Sequence, residues 1–146
     1  MNYLDTSALI KRFVLEVGSG AVDALITREG PVATSRIAYA EVFSALARRK
    51  REGDLSEQAY LVASRQVEAE WMAFVLVDVT DNVLKSARRL VERYPLRGFD
   101  AIHVASALGL RKELGVELTF AAADRRQLEA ARAEGLTVVN VEAKHH

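Results

Sequence analysis

Short apolar runs alternate with longer amphipathic segments along this chain. The apolar runs predict strands over residues 1–5, 31–34, 74–78, 116–121 and 136–141, and most of the stretches between them have the period of helices. Strands separated by helices are typical of βαβ units, in which parallel strands share one sheet. The pattern therefore predicts an α/β fold of three layers, with a central parallel sheet of about four to five strands covered by helices on both faces.

The segment after the second predicted strand contains two long amphipathic helices. Ser35 is the expected N-cap of a helix over residues 36–52, and Gly53 is its stop signal. Ser56 is the expected N-cap of a second helix, which continues to about Trp71. The two helices are predicted to form an αα hairpin inserted between strands.

Two further helices are predicted in the second half of the chain. One starts at Thr80 or Asp81 and ends before Tyr94-Pro95, because the residue ahead of a proline is disfavoured in a helix. The next contains the nearly all-apolar stretch 101–108, so we expect it to be buried, with Asp100 in its first turn. By contrast, Gly18-Ser19-Gly20 predicts a turn, since it lacks the Lys and Ser or Thr of a phosphate-binding loop.

Composition narrows the classes of protein. A chain of 146 residues, half of them hydrophobic, predicts one domain over 1–143, with 144–146 as a tail of the kind that affinity tags leave. There is no cysteine, so disulfides and thiolate zinc sites are excluded. The 20 basic and 20 acidic residues balance, which argues against a generally cationic nucleic-acid-binding surface and leaves room for a local basic rim. With no basic leader segment and no apolar run of the ~18 to 20 residues that span a membrane, we expect a cytoplasmic protein.

Four acidic residues occupy positions that this fold would bring together: Asp5, Glu41, Asp100 and Asp124. Asp5 and Asp124 follow predicted strands, and ligands of open α/β sheets bind beyond the carboxyl ends of the strands. Glu41 has small helical neighbours, Ala38 and Ala45, which would leave its carboxylate accessible. Each acid alone has an ordinary structural explanation as a helix cap, a first-turn residue or a solvated side chain. Their joint placement is what predicts a site.

Gathered carboxylates raise one another's pKa, so a cluster of four needs a cation to stay ionised near neutral pH. Oxygen ligands favour Mg²⁺ or Mn²⁺, and such a site suits phosphodiester hydrolysis, in which the metal activates a water and neutralises the leaving oxygen. Ser7 is predicted to hydrogen-bond a metal ligand or its water, and Thr6 to cap the first helix.

Several other residues have both a functional and a structural interpretation. Arg97, Arg125 and Arg126 neighbour the predicted acids and are candidates for substrate binding. The basic run 48–51 is better explained as a solvated helix end favoured by the helix dipole. His103 shares a helix face with Asp100, and a buried structural histidine is a simpler interpretation than a general base.

At this point the sequence resembles a known family. The start Tyr3-Leu4-Asp5-Thr6-Ser7-Ala8-Leu9, the helical Glu41, the segment 96–105 (LRGFDAIHVA) and the later Asp124-Arg125-Arg126-Gln127-Leu128 are similar to the PIN-domain nucleases, specifically the VapC toxins of prokaryotic toxin–antitoxin pairs. The similarity spans nearly the whole chain. One departure precedes the fourth acid, where many relatives carry Thr or Ser and this chain has Ala121-Ala122-Ala123.

The resemblance implies an α/β/α PIN-like domain and a Mg²⁺- or Mn²⁺-dependent endoribonuclease. It implies that Asp5, Glu41, Asp100 and Asp124 are catalytic and hold the metal, with Ser7 and Thr6 supporting them. It also implies a homodimer and a small VapB-type antitoxin whose C-terminal segment blocks the active site.

Two alternatives to this function are open at the level of sequence. A phosphatase of the haloacid dehalogenase type would use Asp5 as its phosphoryl acceptor, although that class has a second acid where this chain has Ser7. A degenerate domain that binds RNA or protein without cleavage is the second alternative, because Ala122 and Ala123 replace polar residues expected near Asp124.

Overall fold

The computed structural model describes residues 1–28 and 30–144. Across these residues, five strands form one entirely parallel sheet in the order β3-β2-β1-β4-β5. The strands are β1 (Asn2–Leu4), β2 (Val32–Ser35), β3 (Val75–Val77), β4 (Thr119–Ala122) and β5 (Thr137–Asn140). Each predicted strand is present, and the largest shift is at β4, which begins three residues later than the apolar run.

Seven α-helices connect or follow these strands in the described part of the chain. They are α1 (Thr6–Leu9), α2 (Ser19–Thr27), α3 (Ile37–Arg51), α4 (Glu57–Trp71), α5 (Asp81–Arg93), α6 (Gly98–Leu114) and α7 (Arg125–Ala133). A single 3₁₀ turn, Ile10–Arg12, continues α1. None of the helices in the described ranges combines the length and apolar character that crossing a membrane requires.

The helices form one layer on each face of the sheet. Leu4 of β1 packs in an apolar cluster with residues of α1 to α4, whereas its neighbour Tyr3 packs with residues of α5, α6 and α7. Alternate residues of a strand point to opposite faces, so both faces of this strand are buried. The three-layer α/β/α architecture predicted from the sequence is confirmed.

Most helix boundaries follow from local capping. The Ser56 hydroxyl accepts a hydrogen bond from the Ala59 N–H at 3.0 Å and starts α4, and the Thr80 hydroxyl accepts one from the Val83 N–H at 3.2 Å and starts α5. α5 ends at Arg93, and Tyr94 ahead of the proline is extended. These three boundaries are as predicted, because each depends on residues within a few positions in sequence.

Two local predictions outside the first helix are wrong. Ser35 is the last residue of β2 rather than the N-cap of α3; the cap position is Arg36, which makes no capping hydrogen bond through its side chain. Ser35 Oγ still accepts a hydrogen bond from the Ile37 N–H at 3.3 Å. The predicted turn at Gly18-Ser19-Gly20 is the start of α2: Gly18 adopts a positive φ of 96°, and the helix begins directly at Ser19.

The topology positions the site. β1 lies between β2 and β4, and the chain leaves β1 and β4 at the same edge of the sheet, with the Asp5 N–H donating to the Ala121 carbonyl at 3.1 Å. A crevice at this edge is the usual ligand-binding position of an open parallel sheet. The predicted tail ends in His145 and His146, which lie outside the described residues.

Candidate active site

All four predicted acids line a single open cavity of about 740 Å³ at the carboxyl edge of the sheet. Asp5 follows β1, Glu41 lies in α3, Asp100 is in the first turn of α6, and Asp124 precedes α7. Four elements that are distant in sequence therefore contribute one carboxylate each. The convergence predicted from the sequence is present in the structure.

Asp5 is held by short hydrogen bonds from its own helix. Its carboxylate accepts one from the Ala8 N–H at 3.0 Å and so caps α1, and Ser7 Oγ lies 2.7 Å from Oδ1 and 2.9 Å from Oδ2. Asp5, and not Thr6 as predicted, is thus the N-cap. The interaction between Ser7 and this acid agrees with the support predicted for Ser7.

Asp5 is 3 % exposed, and burial raises the pKa of its carboxyl group above the ordinary value, while the nearby His103 and the hydroxyl of Ser7 limit the rise. A buried carboxylate is costly when ionised because it has lost its hydration. A cation in the adjacent cavity would offset this cost.

Glu41 accepts two hydrogen bonds on the same oxygen. Thr6 Oγ1 donates to its Oε1 at 2.6 Å, and His103 Nε2 lies 2.8 Å from that oxygen. Burial raises the pKa of Glu41, but the hydrogen bonds from His103 and Thr6 outweigh burial, and the pKa is lowered from its ordinary value. Thr6 thus supports the site by orienting Glu41.

His103 connects Glu41 to the centre of the sheet. The residue is 1 % exposed, and its Nδ1 lies 2.8 Å from the hydroxyl of Tyr3. Since ionised Glu41 can only accept, the Nε2 atom carries the hydrogen and Nδ1 accepts from Tyr3. Burial raises the pKa of Tyr3 well above its usual value, so that hydroxyl keeps its proton. His103 is buried, as predicted; its contact with Glu41 was not predicted.

Asp100 and Asp124, like Asp5, lie at helix starts, but among the described residues no hydroxyl or imidazole donates to their carboxylates. Asp124 Oδ1 accepts from the Gln127 N–H at 3.0 Å and caps α7, while Arg97 Nε lies 3.3 Å from Asp100 Oδ2. The side-chain amide of Gln127 donates to the backbone carbonyl of Asp100 at 3.2 Å and so joins α7 to α6. Helix N-termini favour negative charge, so both carboxylates are stabilised in place.

Ser7 also supports the corner around Asp124. The Ala123 N–H donates to Ser7 Oγ at 3.0 Å, so this hydroxyl links the end of β4 to Asp5. The alanine run before Asp124 provides no hydroxyl of its own. Ser7, which follows β1, supplies a hydroxyl to this corner instead.

The three predicted substrate-binding arginines line a second, smaller cavity of about 460 Å³, with Pro95, Asp100 and Asp124. Arg97, Asp100 and Asp124 belong to both cavities. Arg48 and Arg49, from the basic run at the end of α3, line the larger one, and Arg49 pairs with Glu16 at 2.9 Å. The rim of an acidic centre is therefore basic on both sides.

The donor set suits a hard divalent cation. Each of the four acids offers oxygen, and the open cavity has room for metal-bound water. Within residues 1–28 and 30–144, no three His, Cys, Asp or Glu side chains are clustered as a ready-made ligand set. Mg²⁺ usually takes one or two carboxylates and keeps several waters, so binding of this ion does not require such a cluster.

Residues 3–133 match the family model of the PIN domain, and the chain belongs to the PIN domain family. Within that family, Ribonuclease VapC45 of Mycobacterium tuberculosis is 38 % identical over 136 residues, which cover 93 % of this chain and 92 % of that protein.

Two solved structures share the fold at low sequence identity. The crystal structure of Mycobacterium tuberculosis VapC20, described as a Sarcin-Ricin loop cleaving toxin, covers 99 % of this chain and 100 % of its own, with a TM-score of 0.66 and 18 % identity. A toxin-antitoxin complex from Klebsiella pneumoniae covers 97 % of this chain and 98 % of its own, with a TM-score of 0.64 and 20 % identity.

Proposed function

We propose that this chain is a metal-dependent endoribonuclease that acts as the VapC-type toxin of a toxin–antitoxin pair. The observation that carries the proposal is the lining of one cavity by four carboxylates at the carboxyl edge of the sheet. Family membership and the similarity to Ribonuclease VapC45 support the assignment of RNA as the substrate.

Asp5, Glu41, Asp100 and Asp124 are the residues that would hold Mg²⁺ or Mn²⁺. When bound, such an ion activates a water and neutralises charge on the scissile phosphate. Ser7 orients Asp5 through its hydroxyl, which lies 2.7 and 2.9 Å from the two carboxylate oxygens, and Thr6 and His103 orient Glu41. The protein's own contribution is thus to fix the directions of buried carboxylate oxygens, which outer hydrogen-bond partners do in metal sites generally.

Arg97, Arg125 and Arg126 are proposed to hold phosphates of the RNA backbone on either side of the cleaved bond. The second cavity that they line adjoins Asp100 and Asp124, so a strand held there passes the carboxylates. Arginine is suited to this role because its planar donors match phosphate oxygens.

The same proposal includes a VapB-type antitoxin partner, a homodimer and a cytoplasmic location. Support for the partner comes from the similar fold in the Klebsiella pneumoniae toxin-antitoxin complex. Coexpression with the neighbouring small reading frame, followed by sizing of the purified complex, tests both the partner and the dimer.

The direct test of the enzyme is RNA cleavage by Asp100→Asn with Mg²⁺ or Mn²⁺. We expect the variant to lose cleavage because it lacks one carboxylate of the cation site. The wild-type protein in excess EDTA should lose cleavage because EDTA removes the cation. Asp81→Asn is the matched control, since Asp81 is also an acid in the first turn of a helix but lies outside both cavities. Full activity of Asp100→Asn, or of wild-type protein in EDTA, would contradict the proposal.

The same assay distinguishes the two alternatives. Tight RNA binding without cleavage at any Mg²⁺ or Mn²⁺ concentration would identify a degenerate binding domain. A phosphoryl group trapped on Asp5 would identify a phosphatase; against it, the Asp5 carboxylate is 3 % exposed and bonded to Ser7 at the position of that class's second acid.

A further inference from the structure

Phe99 is an exposed aromatic residue beside the carboxylates. It lies in the first turn of α6, directly before Asp100, is 59 % exposed, and lines the larger cavity. It belongs to neither apolar cluster of the core and forms no aromatic pair with any described residue. The ring is therefore not part of the apolar core described by these clusters.

Tyr39 of α3 is also an exposed aromatic residue, but its ring and hydroxyl contact other residues. Tyr39 is 38 % exposed, but its ring packs against Phe43 and Trp71 and its hydroxyl bonds to Glu68. The Phe99 ring forms no aromatic pair with any residue that the structure describes. The ring is available to a ligand.

The charges around Phe99 favour a polyanion. Arg97, two residues earlier, has a side chain that is 85 % exposed and lines both cavities. Arg126 makes no ion pair with residues 1–28 or 30–144, and the pair between Arg125 and Glu129 joins side chains that are 90 % and 66 % exposed at 3.6 Å. Such exposed pairs are weak, so the arginines are free to bind phosphates.

We propose that Phe99 is a stacking platform for an unpaired RNA base next to the cleaved phosphate. This rests on the proposed endoribonuclease function and assigns Phe99 a part in binding its substrate. A base is joined to its phosphate through one sugar, so a phosphate held beside Asp100 brings a neighbouring base within reach of the adjacent residue. Aromatic side chains stack unpaired bases, whereas bases inside a duplex are already stacked and cannot reach the ring. The Phe99 ring therefore contributes to binding only where the RNA is unpaired.

The test compares Phe99→Tyr, Phe99→Leu and Phe99→Ala with the wild-type protein. Affinity is measured in EDTA by fluorescence anisotropy, with a labelled, unstructured RNA oligonucleotide of mixed sequence and its perfect duplex. We expect Phe99→Leu and Phe99→Ala to bind the single strand on the order of tenfold more weakly and Phe99→Tyr to match wild type, because stacking needs a flat ring. Duplex affinity should be equal in all four proteins.

Met72→Ala is the matched control, since Met72 is 77 % exposed and lies outside both cavities. Single-strand affinity of Phe99→Ala equal to wild type would overturn the proposal, as would full retention by Phe99→Leu. Unchanged RNA affinity combined with lost binding of a coexpressed protein partner would assign Phe99 to a protein contact and would also overturn it.

Cleavage of the same single strand with Mn²⁺ tests the proposed endoribonuclease function separately from the stacking role of Phe99. If wild type cleaves and Phe99→Ala cleaves with equal kcat/KM, only the stacking proposal fails. If wild type cleaves no RNA while Phe99→Ala still binds more weakly, the endoribonuclease proposal fails and the stacking platform stands.

Discussion

The two sides of the cavity hold their carboxylates in different ways. On one side, Asp5 and Glu41 accept hydrogen bonds from the side chains of Ser7, Thr6 and His103. On the other, Asp100 and Asp124 are placed by the starts of α6 and α7 and stand among arginines. We refer to them as the hydrogen-bonded side and the arginine side.

The difference indicates a division of tasks. Several donors on one carboxylate fix its direction, which a cation with strict geometry requires. Arginines beside a carboxylate instead attract an anion, and they do not fix the direction of the carboxylate as several hydrogen-bond donors do. We infer that the hydrogen-bonded side determines the cation position and that the arginine side aligns the RNA phosphates.

The largest expected effect is the loss of activity in Asp5→Asn. Replacing this carboxylate removes charge from the hydrogen-bonded side, and a cation contributes several kcal/mol of transition-state stabilisation, so RNA cleavage should fall by about a thousandfold or more. Asparagine caps a helix as well as aspartate does, so circular dichroism should show a folded protein. Asp54→Asn, an exposed loop acid, is the control, and cleavage within tenfold of wild type would contradict the inferred division.

A smaller loss is expected when His103 can no longer donate to Glu41. His103→Leu should weaken Mn²⁺ binding, measured by titration calorimetry, and cleavage by about 10- to 100-fold, as removal of outer hydrogen-bond partners does elsewhere. His103→Gln places an amide donor near the former Nε2 and should recover part of both. Recovery distinguishes orientation of Glu41 from a merely structural role of the ring.

Ser64→Ala is the control for the histidine variants. Ser64 lies in α4 outside both cavities, and its buried hydroxyl oxygen has no hydrogen-bond partner among the described residues. We expect metal affinity to be unchanged in this variant. In wild-type protein, ring ¹⁵N shifts should show the hydrogen of His103 on Nε2, and a hydrogen on Nδ1 alone would contradict the link to Glu41.

The neighbours of the acids on the arginine side can be identified from the sequence, whereas the contacts of Glu41 on the hydrogen-bonded side cannot. Asp100 and Asp124 lie at helix starts, which capping rules identify from the sequence. Arg97, Arg125 and Arg126 are close to them in sequence and line the same cavity. The strands, the layers and most helix caps could be predicted for the same reason. The apolar period and the capping residues that determine them lie within a few positions in sequence.

Contacts of long range could not be predicted in this way. The bond from His103 to Glu41 spans 62 residues and that from Tyr3 to His103 spans 100. A buried histidine is compatible with either a core or a site, and only the packing of α6 against β1 decides between them. The prediction that Ser35 is an N-cap was wrong for a related reason. Pairing with Val77 extends β2 through Ser35, a residue that capping rules assign to a helix start.

On the arginine side, single substitutions should act mainly through salt-dependent RNA affinity. Arg126→Ala removes one phosphate contact, so the slope of log affinity against log salt should fall by roughly 0.7 to 1, with a severalfold loss of affinity at low salt. Anisotropy titrations with an RNA oligonucleotide across a salt series measure both. Arg88→Ala on α5, where Arg88 pairs with Glu92 away from the cavities, should leave the slope unchanged.

The smallest expected effect is on stability and concerns the cost of burying Asp5. Burial raises the pKa of this carboxyl group in the folded protein above its ordinary value of about 3.9. The wild-type residue therefore contributes its full stability below pH about 4 and loses it as the pH rises through the folded pKa. An asparagine side chain cannot ionise, so in EDTA the free energy of unfolding of Asp5→Asn, relative to wild type, should increase with pH over this window and then level off. Urea unfolding from pH 4 to 8 measures it; a relative gain by wild type as the pH rises would show that the folded pKa of Asp5 is lowered, and that its hydrogen bonds from Ser7 and the Ala8 N–H outweigh burial even without a cation.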